Sequence, residues 1–207
     1  MAQQTNHQDD MDIPTHHKAI VYDSPGQIST ATTTVPTPTP GPGEVLVKMT
    51  HSGVCYSDYT IMTNGFPAAA MGCPPTAPGQ IGGHEGVGTI VSFGPADTAP
   101  HPPAGLKLGD RVGIKYIANI CGSCFACVAG KDPQCPEAKN SGMTGGAPGT
   151  FQEYVVAQAG YVTRIPDGAG SEVAAPMLCA GVTVYAALRK VQGLGFAPVS
   201  YYSNQSG

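Results

Sequence analysis

Cys121-Gly-Ser-Cys124-Phe-Ala-Cys127, followed after seven residues by Cys135, gathers four thiols into one short stretch. Four thiolates can surround a single Zn2+ tetrahedrally at about 2.3 Å, giving a closed structural site. The close spacing lets one loop wrap the ion, and Gly122, Gly130 and Pro133 permit the turns that wrapping needs. Such a site carries a net charge of about −2, which Lys131 and Lys139 could soften. Four free thiols, two disulfides or an iron–sulfur cluster would use the same residues, and zinc is favoured. By itself the motif says that a long loop is pinned by metal.

Outward from this loop the chain reads as β structure. Apolar runs at residues 18–22, 44–49, 88–93, 111–116, 151–157 and 161–165 predict six short strands separated by Gly/Pro turns, the pattern of a barrel or sandwich. Two connections, 63–83 and 118–149, are too long to be ordinary turns and point to function. Residues 30–43, with Pro36, Pro38, Pro40 and Pro42 at alternate positions, read as an extended surface connection. Residues 1–17 are expected to be disordered. After Asp167 the pattern turns helical: Ser171 is the expected N-cap, Glu172 sits in the first turn, and Val184, Leu188 and Val191 share one face of a helix over 183–191.

Composition narrows the partners. Charged residues make up 12% of the 207, against roughly 25% in an average soluble protein. The formal net charge of −4 gives no electrostatic reason to expect nucleic acid or an anionic membrane. No apolar run comes near the roughly 20 residues of a membrane span, and residues 1–14 lack the basic start and apolar core of a secretory signal. A soluble, reducing, cytoplasmic setting is expected, in which seven cysteines are metal thiolates rather than disulfides.

Three further pieces carry ligand chemistry: Gly53-Val-Cys55-Tyr-Ser57-Asp58, Gly82-Gly83-His84-Glu85-Gly86-Val-Gly88, and Pro176-Met-Leu-Cys179-Ala-Gly181-Val-Thr183-Val-Tyr185. Cys55, His84 and Cys179 together would form a Cys2His set with an open fourth position, a catalytic zinc arrangement. Taken singly, an apolar-flanked Cys is more often a buried small hydrophobe, and a His beside a glycine turn is more often simply hydrogen-bonded. Spacing alone does not join pieces so far apart.

These three segments and the cysteine loop, in this order, resemble the zinc-containing medium-chain alcohol dehydrogenases, the yeast-like fungal members above all. The resemblance runs from about residue 18 to residue 189. It implies a mainly β, GroES-like, partly open barrel at 18–175 with short helices and a zinc-binding lobe at 118–149. It assigns Cys55, His84 and Cys179 to a catalytic zinc, and Cys121, Cys124, Cys127 and Cys135 to a structural one. Ser57 matches the hydroxyl that contacts the alcohol oxygen and starts a proton relay. Asp58 matches a carboxylate that orients the histidine ligand, and Glu85 a carboxylate behind the zinc. The implied chemistry is deprotonation of a zinc-held small primary alcohol, proton exit through Ser57, and hydride transfer to the nicotinamide of NAD, giving an aldehyde. Full-length relatives form homo-oligomers.

Four features depart from the family pattern. Thr60 stands where relatives often have the histidine that ends the relay. Tyr56 replaces a basic residue facing the cofactor pyrophosphate. The glycine pattern after His84-Glu85 reaches Gly94 and then meets Pro95-Ala96-Asp97, and Cys73 has no metal role. The largest departure concerns the Rossmann domain that follows the helix at 176–192 in the family. Residues 193–207 look atypical: Gly193-Leu-Gly195 has no preceding strand, and Pro198 stands where a third glycine would fall. No cofactor-binding residue is therefore expected in this chain. Two functions are set side by side: a zinc- and NAD-dependent alcohol dehydrogenase whose nucleotide-binding half is missing, or a non-catalytic zinc-binding fragment or splice variant. Both predict two zinc ions per chain by elemental analysis. A value at or below one, unchanged by Cys121→Ser, would contradict the structural site.

Overall fold

The computed structural model describes residues 12–66, 74–95 and 105–192. Its centre is a five-stranded antiparallel sheet ordered β10-β6-β5-β3-β9, formed by β3 (Glu44–Ser52), β5 (Gly86–Phe93), β6 (Arg111–Ile114), β9 (Tyr154–Gln158) and β10 (Thr163–Arg164). The apolar run Val45-Leu46-Val47 is buried at all three positions, because this strand is covered on both faces. Val45 and Val47 join Ile90, Val112, Ile114 and Val155 in the main core. Leu46 points the other way, onto Val91 and Tyr154.

A second sheet, β2-β1-β4, is built from β1 (His16–Tyr22), β2 (Ala31–Pro36) and β4 (Gln80–Ile81). It joins the first where Ile20 N–H donates to the carbonyl of Phe151 at 2.8 Å and Glu153 N–H donates to that of Lys18 at 3.0 Å. The sheets thus wrap toward a barrel without closing it. A short ribbon of β7 (Ile117–Asn119) and β8 (Lys139–Asn140) frames the cysteine-rich lobe.

Two sequence expectations are corrected here. Residues 16 and 17 belong to the barrel, not to a disordered N-terminus. His17 is buried, its Nε2–H donating to Gln152 Oε1 at 3.0 Å and its Nδ1 bonded to Thr37 Oγ1 at 3.1 Å. The Thr/Pro-rich stretch also contains β2, a strand that among the described residues pairs only with β1. Its prolines follow the expected rule, since Pro36 closes a strand at the sheet edge, where a missing N–H costs nothing.

The helices are α1 (Tyr56–Met62), α2 (Phe125–Val128), α3 (Ser171–Pro176) and α4 (Val182–Gln192), with a π turn at Met177–Gly181 joining the last two. Gly170, not Ser171, is the N-cap of α3; the Ser171 hydroxyl accepts from Arg111 at 3.2 Å instead. Ala174, Ala175 and Leu178 pack this region onto Val87 and Ile165. Residues 171–191 form one continuous helix of 21 residues, within which an 18-residue stretch has mean hydropathy 1.4. That is a longer apolar run than the sequence pattern suggests, since no charge interrupts it between Glu172 and Arg189. By length and composition it could cross a bilayer, as could many core helices that pack against protein.

Ile90 is fully buried in a central strand, so Ile90→Ala leaves a cavity between both neighbouring strands. The expected loss is about 2–5 kcal/mol, read from the shift of the denaturant midpoint.

Candidate metal centres

The first centre is organised by the start of α1. Cys55 is its N-cap: the sulfur accepts from Ser57 N–H at 3.5 Å, while Asp58, three residues on, accepts from Cys55 N–H at 2.9 Å. This reciprocal pair is a capping box with a cysteine in the place usually held by Ser or Thr. It fixes Cys55, Ser57 and Asp58 together. The Cys-x-x-Asp spacing is the sequence signal that could have marked this helix start.

Asp58 is buried, and its other oxygen accepts from Gly83 N–H at 3.2 Å and from His84 Nδ1–H at 2.9 Å. One carboxylate therefore ties α1 to the turn that carries His84. Gly83 has φ +92°, and a Cβ there would lie 2.6 Å from both Phe151 and Thr150, so only glycine can make this approach. A carboxylate can only accept, so the proton of a neutral His84 sits on Nδ1. The lone pair of Nε2 is thereby turned inward, and this buried Nε2 has no hydrogen-bond partner.

What Nε2 meets is a ligand set. Single donor atoms of Cys55, His84, Glu85 and Cys179 all lie within 4.8 Å of one another. The Cys55 and Cys179 sulfurs are 3.9 Å apart, against about 3.8 Å for two ligands of a tetrahedral ion with 2.3 Å bonds. Cys179 reaches inward from the π turn, a distortion often found at functional sites.

The electrostatics are those of a place that wants a cation. Burial opposes the charged form of His84, but the bond and charge of Asp58, helped by Cys55, raise its pKa above the ordinary value. Burial also opposes the Cys55 thiolate. The Ser57 backbone and hydroxyl, with His84 and Cys179, outweigh it and lower that pKa. The Cys179 thiol is pushed up to about 12 by burial and then by the charges of Cys55 and Glu85. Glu85 is raised by burial against the pull of His84. A second thiolate beside the first is thus costly unless a divalent ion sits between them.

Glu85 owes its place to Gly53, whose missing Cβ would lie 2.1 Å from Glu85 Oε2. Thr60 is not brought into the cluster: its hydroxyl donates to the Tyr56 carbonyl at 3.0 Å within α1. Tyr56 is exposed and stacks on Tyr59. Cys73 lies outside the described residues, as do Ala96, Asp97 and the Gly193–Gly195 pair.

The second centre is local. Cys121, Cys124, Cys127 and Cys135 again have their sulfurs within 4.8 Å. The Cys121–Cys127, Cys124–Cys127 and Cys121–Cys135 separations are 3.8, 3.4 and 3.7 Å. A disulfide needs about 2.05 Å, so the two-disulfide alternative is excluded, and all six described cysteines are free thiols. Backbone N–H groups of Ser123 and Cys124 lower the Cys121 pKa to about 6, whereas burial and the neighbouring thiols raise Cys127 to about 12. The donors fit a single tetrahedral ion. Lys131 and Lys139 are both exposed.

An antiparallel, partly open barrel with a four-cysteine lobe and a Cys2His cluster defines a GroES-like domain. The family model of the alcohol dehydrogenase GroES-like domain matches residues 41–167, and the chain belongs to this family. Alcohol dehydrogenase 2 of Emericella nidulans is 51% identical over 179 residues, covering 86% of this chain and 46% of the relative. An alcohol dehydrogenase of Schizosaccharomyces pombe is 40% identical over 147 residues, covering 71% and 38%. Among solved structures, acetophenone reductase from Geotrichum candidum in complex with NAD superposes with TM-score 0.69 at 35% identity, covering 86% of this chain and 48% of that one. The cobalt- and zinc-bound thermostable alcohol dehydrogenase from Pyrobaculum aerophilum gives 0.70 at 25% identity, covering 84% and 48%. The chain spans about half the length of the relatives it matches.

Gly53→Ala should cost about 1–3 kcal/mol of stability through overpacking against Glu85. The penalty should shrink when Glu85 is also replaced by Ala; an equal penalty in both backgrounds contradicts the contact.

Proposed function

We propose that this chain is the metal-holding part of a zinc-dependent alcohol dehydrogenase that interconverts a small primary alcohol and its aldehyde with NAD. The observation that carries the reading is the buried Nε2 of His84, unpartnered and aimed at two thiols whose separation suits one ion. Cys55, His84 and Cys179 would hold a catalytic zinc with Glu85 beside them, and the four lobe cysteines a structural one. A zinc at the first site supplies a Lewis acid that lowers the pKa of an alcohol or water.

The chain's own residues do the rest of the work assigned to this half. Asp58 keeps Nδ1 of His84 protonated and its ring oriented, the usual duty of a carboxylate behind a histidine ligand. The Ser57 hydroxyl, held beside Cys55 by the turn of α1, is the group placed to take a proton from the reacting oxygen. Thr60 is assigned the outer end of that path. Its hydrogen is committed to the Tyr56 carbonyl, so proton passage along α1 requires that hydroxyl to rotate. The barrel at 18–175 with its lobe at 118–149, and the helix at 176–192 as an approach to a nucleotide-binding domain, complete the proposed organisation. A cytoplasmic location and a homo-oligomer with no nucleic acid or membrane partner belong to the same proposal.

A second reading concerns the 207 residues on their own. The described residues contain no Gly-rich strand–turn–helix, so this chain is proposed to hold zinc without turning over alcohol. Orienting a nicotinamide against its substrate can be worth roughly 7–11 kcal/mol of barrier. Calorimetry with NAD should show no measurable binding, and no NADH absorbance should develop with ethanol. Turnover above background from homogeneous protein of this length would overturn the second reading and support the first unaided. Chelator should remove one zinc early and one slowly, because the first site is assembled from distant segments and the second from one loop. Loss of both together would contradict the two-site assignment.

A further inference from the structure

One of the attachments of the four-cysteine lobe to the barrel is made by three side chains of unlike chemistry. Tyr161 lies in the turn between β9 and β10, and its hydroxyl donates to Asp132 Oδ2 at 2.5 Å. Asp132 opens the 3-10 turn Asp132–Gln134, whose carbonyl at Asp132 accepts Cys135 N–H at 3.0 Å. Cys135 in turn places its sulfur 3.5 Å from Cys121 N–H and 3.7 Å from the Cys121 sulfur. On the barrel side, Lys115 Nζ stands 4.3 Å from the centre of the Tyr161 ring. Lys115 is half-buried and follows β6, so both supports are rooted in the sheet while Asp132 is rooted in the lobe.

We propose that Lys115, Tyr161 and Asp132 form a bracket that positions Cys135 and sets how tightly the lobe retains its zinc. The inference rests on the reading of the four cysteines as a zinc site. Its physical basis is charge as well as shape. A zinc held by four thiolates is about −2 overall, and Asp132 adds a further negative charge close by. Unscreened, that carboxylate would push against the cluster and pull its turn toward water. The Tyr161 hydroxyl fixes it by a short, charge-assisted bond. The Lys115 ammonium offsets its charge and is held over the ring by cation–π attraction. Burial lowers the Lys115 pKa while Asp132 raises it, which marks the two as electrostatic neighbours. Lys131 and Lys139, the cations suggested inside the cysteine stretch, are exposed to solvent; the compensating one, Lys115, comes from the strand end just before the lobe.

The test is zinc release from the zinc-loaded 207-residue chain into excess colorimetric chelator, followed by absorbance. The slow phase, identified by its loss in Cys124→Ala, should accelerate about 10- to 100-fold in Tyr161→Phe and in Lys115→Met, the range typical of residues that support metal ligands. Lys115→Arg should restore release close to the original rate, which a purely space-filling role would not require. The fast phase should not move. A slow phase within twofold of the original in both Tyr161→Phe and Lys115→Met would overturn the bracket. Should the phenylalanine variant fail to fold, judged by circular dichroism, the Met-against-Arg contrast at Lys115 decides. If the unmutated chain shows no slow phase at all, the zinc reading itself falls and takes the bracket with it.

Discussion

The hydrogen bond from His84 Nδ1 to Asp58 is the constraint on which the first centre depends. Asp58 is buried and spends its two oxygens on three donors from two separate segments: Cys55 N–H, Gly83 N–H and His84 Nδ1–H. Each donor left unpaired in such a place would cost about 1–3 kcal/mol. The carboxylate is therefore locked into α1 and the glycine turn at once. The Cys55 sulfur, the Ser57 hydroxyl and His84 Nε2 are in consequence all fixed from one point. Only Cys179 arrives independently, through the π turn.

The two centres illustrate different routes to one ligand chemistry. In the lobe, four cysteines from one loop need little of the barrel beyond an anchor, and the turns between them set the sulfur separations. At the first centre, three ligands come from a helix cap, a strand approach and a distorted helix, so the ligand set exists only when the sheet is formed. Local closure costs little chain entropy, whereas assembly from segments far apart relies on the packed core to meet that cost. The helix bearing Cys179 leaves Val173, Val182, Val184, Tyr185 and Leu188 exposed. Its inner side, Ala174, Ala175 and Leu178, is held by the sheet.

Much of this is legible in the sequence. The cysteine loop declares a metal site, the short apolar runs declare β structure, and the family resemblance joins Cys55 to His84 and Cys179, which spacing alone does not. The remainder escapes for physical reasons. His17 looks like part of a polar tail because its burial depends on Thr37 and Gln152, contacts no local pattern reveals. The edge strand β2 hides among prolines that punctuate it. The apolar length of residues 171–191 is easily missed because its small and β-branched residues do not form a simple periodic stripe. Gly53 has no visible purpose until Glu85 is seen to occupy the space its side chain would fill.

The central claim is that Asp58 holds the proton on Nδ1 of His84 so that Nε2 is left to bind metal. Nitrogen-15 chemical shifts of the histidine rings in the zinc-loaded, 15N-histidine-labelled chain test it directly, with a His84→Gln sample to assign the signals. The account predicts a protonated Nδ1 and a metal-shifted Nε2 for His84, unchanged across neutral pH and giving way, when the weakly held zinc is removed, to a titrating imidazole whose pKa lies above the ordinary value. A His84 ring that titrates freely with zinc present, or that carries its proton on Nε2, would contradict it.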